Sequence, residues 1–296
     1  MYVKSISKSF PGFLARKLQA YVAFTKLRLT SLVVVSSIIG YAIGAAVFSW
    51  VDVVWLSLAG FLVTGASNGF NQIIEKEFDA MMDRTKGRPI PTGAMGIVES
   101  LILATVLGVL GLIILYFVFN QLAAVLGALA LFSYVLLYTP LKRFTAFAVF
   151  VGAFPGAIPP LLGYVAATAD FDLYGGLLFA IQFMWQFPHF WAIAWVAHKD
   201  YQKAGYHLLP SKGKDGQSAF LIFLYTLFLI PVSLLPWAFD LIEIQYAIAL
   251  VVLGLLFAYP SLILLRQKSD KAARAVMFAS FFYLPIAQLI LLLDKI

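Results

Sequence analysis

Four of the chain's 14 acids, Glu75, Glu77, Asp79 and Asp83, fall between Asn68 and Gly93, with Arg84, Lys86 and Arg88 beside them. Within this stretch Asn68, Asn71, Glu75, Asp79 and Asp83 follow one another at spacings of three or four. A helix continuing through Asp83 would stack these side chains along one face. Carboxylates one turn apart repel each other, and a divalent cation between them removes that cost. Magnesium prefers one or two carboxylates plus phosphate oxygens and water to a cage made only of protein. The pattern therefore points to a metal-bridged diphosphate, with Glu75 and Asp79 as metal ligands and Arg84 and Arg88 as planar cationic forks on phosphate. Pro89 disfavours helix at Arg88, which makes that arginine a loop residue able to reach back over the phosphates. The competing reading is a solvated loop at a membrane boundary. Asn68 and Asn71 weigh against it, because they end an apolar run where unpaired amides are costly.

The elements that must position this row are membrane spans. The chain has 296 residues, 62% of them hydrophobic and 12% charged, and a mean hydropathy of +0.92. Apolar runs of about 20 residues recur from end to end, as a polytopic membrane protein requires. Nine candidate spans emerge: Leu29 to Phe48, Val53 to Ile73, Ile97 to Phe119, Leu122 to Thr139, Phe144 to Ala167, Leu173 to Ala197, Ala219 to Trp237, Ile244 to Leu265 and Ala273 to Leu293. The expected fold is an all-α integral membrane protein. Residues 1–28 are expected to be a retained cytoplasmic N-terminal segment, with an amphipathic piece over Phe13 to Phe24 expected on the membrane surface. Residues 29–296 form a single membrane domain with charged loops at about 74–96 and 198–218. There is no cysteine, which excludes disulfides, thiolate metal sites and cysteine nucleophiles.

Nine spans place every Lys and Arg except Lys295 on one side of the membrane, while Asp52, Asp170, Asp172, Asp240 and Glu243 fall in loops on the other. The positive-inside rule then puts the N-terminus in the cytoplasm of a cell, or inner, membrane. The net charge of +7 is used for orientation, so no nucleic-acid partner is expected. The second charged loop follows Trp185-Gln186-Phe187-Pro188-His189-Phe190 and contains Lys199, Asp200 and Lys203. Eleven residues, three helical turns within about 20°, separate His189 from Asp200, so a continuing helix would carry both on one face.

The run Asn71-Gln72-x-x-Glu75-x-x-x-Asp79-x-x-Met82-x-Arg84-Thr85-x-x-Arg88-Pro89 resembles the first signature of the UbiA superfamily of intramembrane prenyltransferases. The Asn-Gln-x-x-Glu form, with Trp185 to Phe190 and Asp200-Tyr201-x-x-Ala204-Gly205, looks like the haem-farnesylating branch. The resemblance implies nine transmembrane helices around a central cavity, Mg²⁺ as cofactor, and farnesyl diphosphate and haem B as substrates, with haem O as product. It implies catalytic roles for Asn68, Asn71, Arg84, Arg88 and His189, and substrate binding by Gln72, Lys86, Lys199, Asp200 and Lys203. Haem A synthase or terminal-oxidase assembly factors are the partners it suggests, besides the lipid bilayer.

Ala204 stands where the wider superfamily has the second acid of an Asp-x-x-x-Asp motif. That departure leaves Lys199, Lys203 or Arg84 to neutralise diphosphate charge. His189 is open to two readings, a packed side chain or a group contacting haem, by ligating its iron or by acting as a base near the vinyl. Prenylation of another aromatic or tetrapyrrole acceptor is the nearest alternative function. A transporter would place its charges near the bilayer midplane, whereas here they gather at one surface.

Overall fold

The structure is a computed structural model and describes residues 10–295, with the side chains of residues 10–14 excepted. The first nine residues of the N-terminal segment anticipated above, Lys4 and Lys8 among them, therefore lie outside the described residues. The chain runs as helices α1 (Phe10–Thr25), α2 (Leu27–Gly44), α3 (Trp50–Ile74), α4 (Lys76–Met81), α5 (Ile97–Ile114), α6 (Gln121–Phe132), α7 (Thr139–Leu141), α8 (Ala148–Thr168), α9 (Leu173–Val196), α10 (His198–Lys203), α11 (Gly216–Ser233), α12 (Leu235–Ala238), α13 (Ile244–Gln267) and α14 (Asp270–Leu293). Wider π-helical turns extend α5 through Phe119 and join α6 to α7.

Several helix starts are fixed by side chains that satisfy orphan amides. Ser49, Asn120, Asp172, Asp215 and Ser269 accept from the backbone N–H groups of Asp52, Ala123, Gly175, Ser218 and Ala272. Among the described residues eight segments are both long and apolar enough to cross a membrane. The sixth span expected from the sequence, α9, has 24 residues and the required length, but its apolar run is diluted by Gln182, Gln186 and His189. These polar side chains are buried, so the helix gives up hydropathy to make contacts inside the bundle.

Helix α8 is the central post, with 78% of its span buried against 22% to 44% in the other seven of these eight segments. Pro160 supplies no N–H to the carbonyl of Gly156 one turn earlier, and Gln182 Nε2 donates to that oxygen at 2.7 Å. The same Gln182 accepts from Ser36 at 2.9 Å and from Gln288 at 2.8 Å, which ties α2, α8, α9 and α14 together inside the membrane. Glycines let α2 and α8 touch backbone to backbone: a Cβ at Gly40 would lie 2.0 Å from the Pro160 carbonyl oxygen, and one at Gly163 would lie 1.8 Å from that of Ser37. Helix α3 packs along α5, α13 lies between α11 and α14, and α14 returns to α9 and α2.

Two helices expected to be continuous are jointed. Helix α3 ends at Glu75, whose φ of −95° and ψ of 10° leave helical geometry, and α4 ends at Met81. The row survives the joint as far as Asp79, because the N–H of Glu75 still donates to Asn71 O and that of Asp79 to Glu75 O. Asp83 leaves the row. At Ala197 a similar joint separates α9 from α10, and the side chains of His189 and Asp200 go to different partners, Ser280 on α14 and the backbone of Asp83 and Arg84.

Candidate active site

The charged ends of α3, α4, α7 and α10 meet at one end of the bundle around a cavity of about 140 Å³. Its walls include Asn71, Glu75, Asp79, Arg84 and Arg88 from the opening motif, joined by Lys26, Lys142 and the tyrosines 134, 138, 201 and 206. Glu75 is held by three donors: Lys142 Nζ at 2.6 Å, Asn71 Nδ2 at 2.8 Å and the Tyr206 hydroxyl at 3.1 Å. Burial alone would raise its pKa, but Lys142 and these hydrogen bonds outweigh burial and hold the carboxyl below its ordinary value. Asp79, fully buried, is shifted the opposite way. Burial raises it despite Arg88, whose Nη1 lies 2.6 Å from Oδ2.

The second oxygen of Asp79, Oδ1, is buried and has no hydrogen-bond partner. An orphaned buried carboxylate oxygen costs free energy unless something comes to meet it. A hard cation suits it, with Glu75 Oε2 and the Asn71 amide on the same face one turn and two turns back. No three His, Asp or Glu side chains converge as a metal cage among the described residues, so a cation held here needs ligands from a substrate. The residues present fit magnesium carried with a diphosphate.

Lys26 is the single residue between α1 and α2 and adopts a left-handed conformation, φ 50° and ψ 55°. Burial, with Arg88 and Lys142 nearby, lowers its pKa to about 7. Lys142 lies 4.8 Å from the centre of the Tyr138 ring, within cation–π range. Neither lysine is marked by the charge pattern of the opening motif. The signal for Lys142 is the four-residue repeat Tyr134, Tyr138, Lys142, which carries a polar stripe to the end of an apolar span.

The remaining expected residues lie elsewhere. Asp200 forms a rim contact, accepting from the backbone N–H groups of Asp83 at 2.9 Å and Arg84 at 3.0 Å. Lys203 pairs with Asp83, and Lys86 meets the same carboxylate at 2.7 Å. These lysines hold Asp83 down to about 2. The rim thus joins the two charged loops, while Lys199 is exposed. Asn68 and Gln72 turn away from the cavity towards the end of α1: Gln72 Nε2 donates to Phe24 O at 2.7 Å, and Asn68 Nδ2 donates to Thr25 O at 3.3 Å. His189 is buried between α9 and α14, its Nδ1 2.7 Å from Ser280 Oγ and its ring stacked on Trp185 at 4.4 Å. It does not line the cavity.

Comparison with known proteins adds the family. The pattern of the UbiA prenyltransferase family matches residues 33–284. A protoheme IX farnesyltransferase of Christiangramia forsetii is 46% identical over 283 residues, covering 94% of each chain. One of Cytophaga hutchinsonii is 43% identical over 285 residues, covering 96% of this chain and all of the relative. Among solved structures, a digeranylgeranylglyceryl phosphate synthase superposes with a TM-score of 0.78 at 20% identity, covering 94% of this chain and 98% of that one. A UbiA homologue from Archaeoglobus fulgidus bound to GPP and Mg²⁺ superposes at 0.66 and 13% identity, covering 92% and 99%. With a family match over most of its length, relatives above 40% identity along almost the whole chain, and the motif carboxylates gathered in one cavity, this multi-pass membrane protein belongs to the UbiA prenyltransferase family.

Proposed function

We propose that this enzyme transfers the farnesyl group of farnesyl diphosphate to a vinyl group of haem B, giving haem O. It does so in the inner membrane, with its N-terminus and the charged cavity on the cytoplasmic side. The observation that carries the reading is near-full-length similarity to protoheme IX farnesyltransferases in a chain whose cavity pairs an unpartnered Asp79 oxygen with surrounding cations.

Asp79 Oδ1, Glu75 and Asn71 would hold magnesium. When bound, the ion polarises the diphosphate as a Lewis acid and stabilises its departure. Arg84, Arg88, Lys26 and Lys142 surround the place where the leaving charge develops, and cations fixed there lower the barrier without reorganising. The allylic carbon–oxygen bond breaks with its electron pair going to diphosphate. The terminal vinyl carbon of haem B forms the new carbon–carbon bond, water adds to the inner vinyl carbon and a proton is released. The Tyr134 and Tyr138 rings line the same cavity and offer π-faces to positive charge. His189 enters this reading as a contact to the acceptor, reached from the seam between α9 and α14.

Incubating purified protein with haem B, farnesyl diphosphate and Mg²⁺, then weighing the extracted haem by mass spectrometry, tests the proposal. A mass gain equal to farnesyl plus hydroxyl is expected. An unchanged haem with prenylation of another aromatic acceptor would replace haem B in the assignment.

A further inference from the structure

Two of the motif's amides do their work on another helix. At 100° per residue, Gly65, Gly69 and Gln72 share one face of α3, Asn71 and Glu75 lie on the next, and Asn68 stands at the border between the two. The second face lines the cavity. The first receives the end of α1. A Cβ at Gly69 would lie 2.5 Å from the Phe24 ring, which is fully buried, and one at Gly65 would lie 3.3 Å from the Thr25 methyl.

A helix leaves its last carbonyls without intrahelical partners. Here the carbonyls of Phe24 and Thr25 receive the Gln72 amide at 2.7 Å and the Asn68 amide at 3.3 Å, and the Thr30 hydroxyl adds a 2.8 Å bond to Thr25 O. The residue after a helix end that turns left-handed is commonly glycine, because a side chain is strained there. In this chain it is Lys26. Strain of that kind persists where surrounding contacts over-determine it, and the two buried amides supply such contacts.

We infer that Asn68 and Gln72 are positioning residues: by capping α1 they fix the α1–α2 joint over the cavity and hold the Lys26 ammonium on the diphosphate. This rests on the reading of the cavity as a diphosphate site. It separates the motif into a ligand-holding set, Asn71, Glu75 and Asp79, and a joint-holding pair, Asn68 and Gln72. Lys26 occupies a glycine-type position because its charge is needed at that point.

The test uses full-length protein in lipid nanodiscs, with Mg²⁺ and inorganic diphosphate as the binding probe and thermal unfolding as the folding control. Lys26→Gly relieves the backbone and removes the charge. It should unfold at the parental temperature or above while binding about tenfold or more weakly, the scale of one charge-assisted hydrogen bond. Gln72→Glu keeps the size but cannot donate to Phe24 O when ionised. It should weaken binding, whereas a glutamine that itself contacted the metal would give tighter binding on gaining a charge. Gln72→Met removes the donor without burying a charge and reports the same loss if Gln72→Glu fails to fold. Because Gln72 acts through Lys26, Gln72→Met should cost nothing further in the Lys26→Gly background. Additive losses, or tighter binding by Gln72→Glu, would overturn the inference. Failure of the parental protein to bind Mg²⁺ and diphosphate would overturn the reading of the cavity instead.

Discussion

Arg88 grips one oxygen of Asp79 at 2.6 Å and leaves the other buried without a partner. This half-satisfied carboxylate lines the cavity. Asp79→Asn keeps the shape and the contact to Arg88 while removing the charge a cation requires. Turnover should fall by at least about 10²-fold, in the range seen when an electrostatic stabiliser is lost, with protein abundant in the membrane. Parental turnover would remove Asp79 from the metal site.

Glu75 and Lys142 are both nearly inaccessible and 2.6 Å apart. Removing one partner of a buried pair leaves an uncompensated charge and costs about 3–5 kcal/mol. Lys142→Met should therefore lower thermal stability at pH 7, and Glu75→Gln combined with Lys142→Met should recover much of it without restoring turnover.

The same pair sets a pH dependence. Glu75 titrates below its unfolded value, so its contribution to stability is present above about pH 4.3 and is lost as pH falls through the folded pKa. In Lys142→Met the lowering partner is gone and burial raises Glu75, so mild acid should stabilise that variant relative to pH 7. Unfolding temperatures at pH 7 and pH 5 check the sign.

Topology can be read with single reporters, because the chain contains no cysteine. Lys86→Cys and Lys212→Cys should react with an impermeant maleimide from the cytoplasmic side, and Asp170→Cys from the opposite side. Reaction of the first two from different faces would break the nine-span arrangement.

His189 is tied to Ser280 on α14 and stacked on Trp185, outside the cavity. A contact to the acceptor predicts that His189→Ala loses haem O formation and shifts the haem absorption spectrum, with binding of Mg²⁺ and farnesyl diphosphate intact. Haem O formation at the parental rate would make it a packing residue.

Much of this site is written in local spacing. Asn71, Glu75 and Asp79 keep their i, i+4 alignment even across the joint at Glu75, since the backbone bonds on either side persist. The placement of Asn68 and Gln72 is not local, for it depends on where α1 docks on α3. Lys142 reads as an orienting charge because the sequence cannot reveal that Glu75 will lie against it. The direction of His189 likewise depends on which neighbour covers that side of α9. Among the spans, α9 is recognisable by length although its buried glutamines and histidine thin its hydropathy, and the left-handed lysine carries no sequence mark at all.

The contact of α2 with α8 limits how anything can enter. With carbonyl oxygens about 2 Å from where a Cβ would stand at Gly40 and Gly163, the two helices behave as a single keel, and a prenyl chain has no passage between them. Traffic to the charged cavity must go around that keel. Entry is thus left to the segments that flank the keel, while the keel itself stays closed.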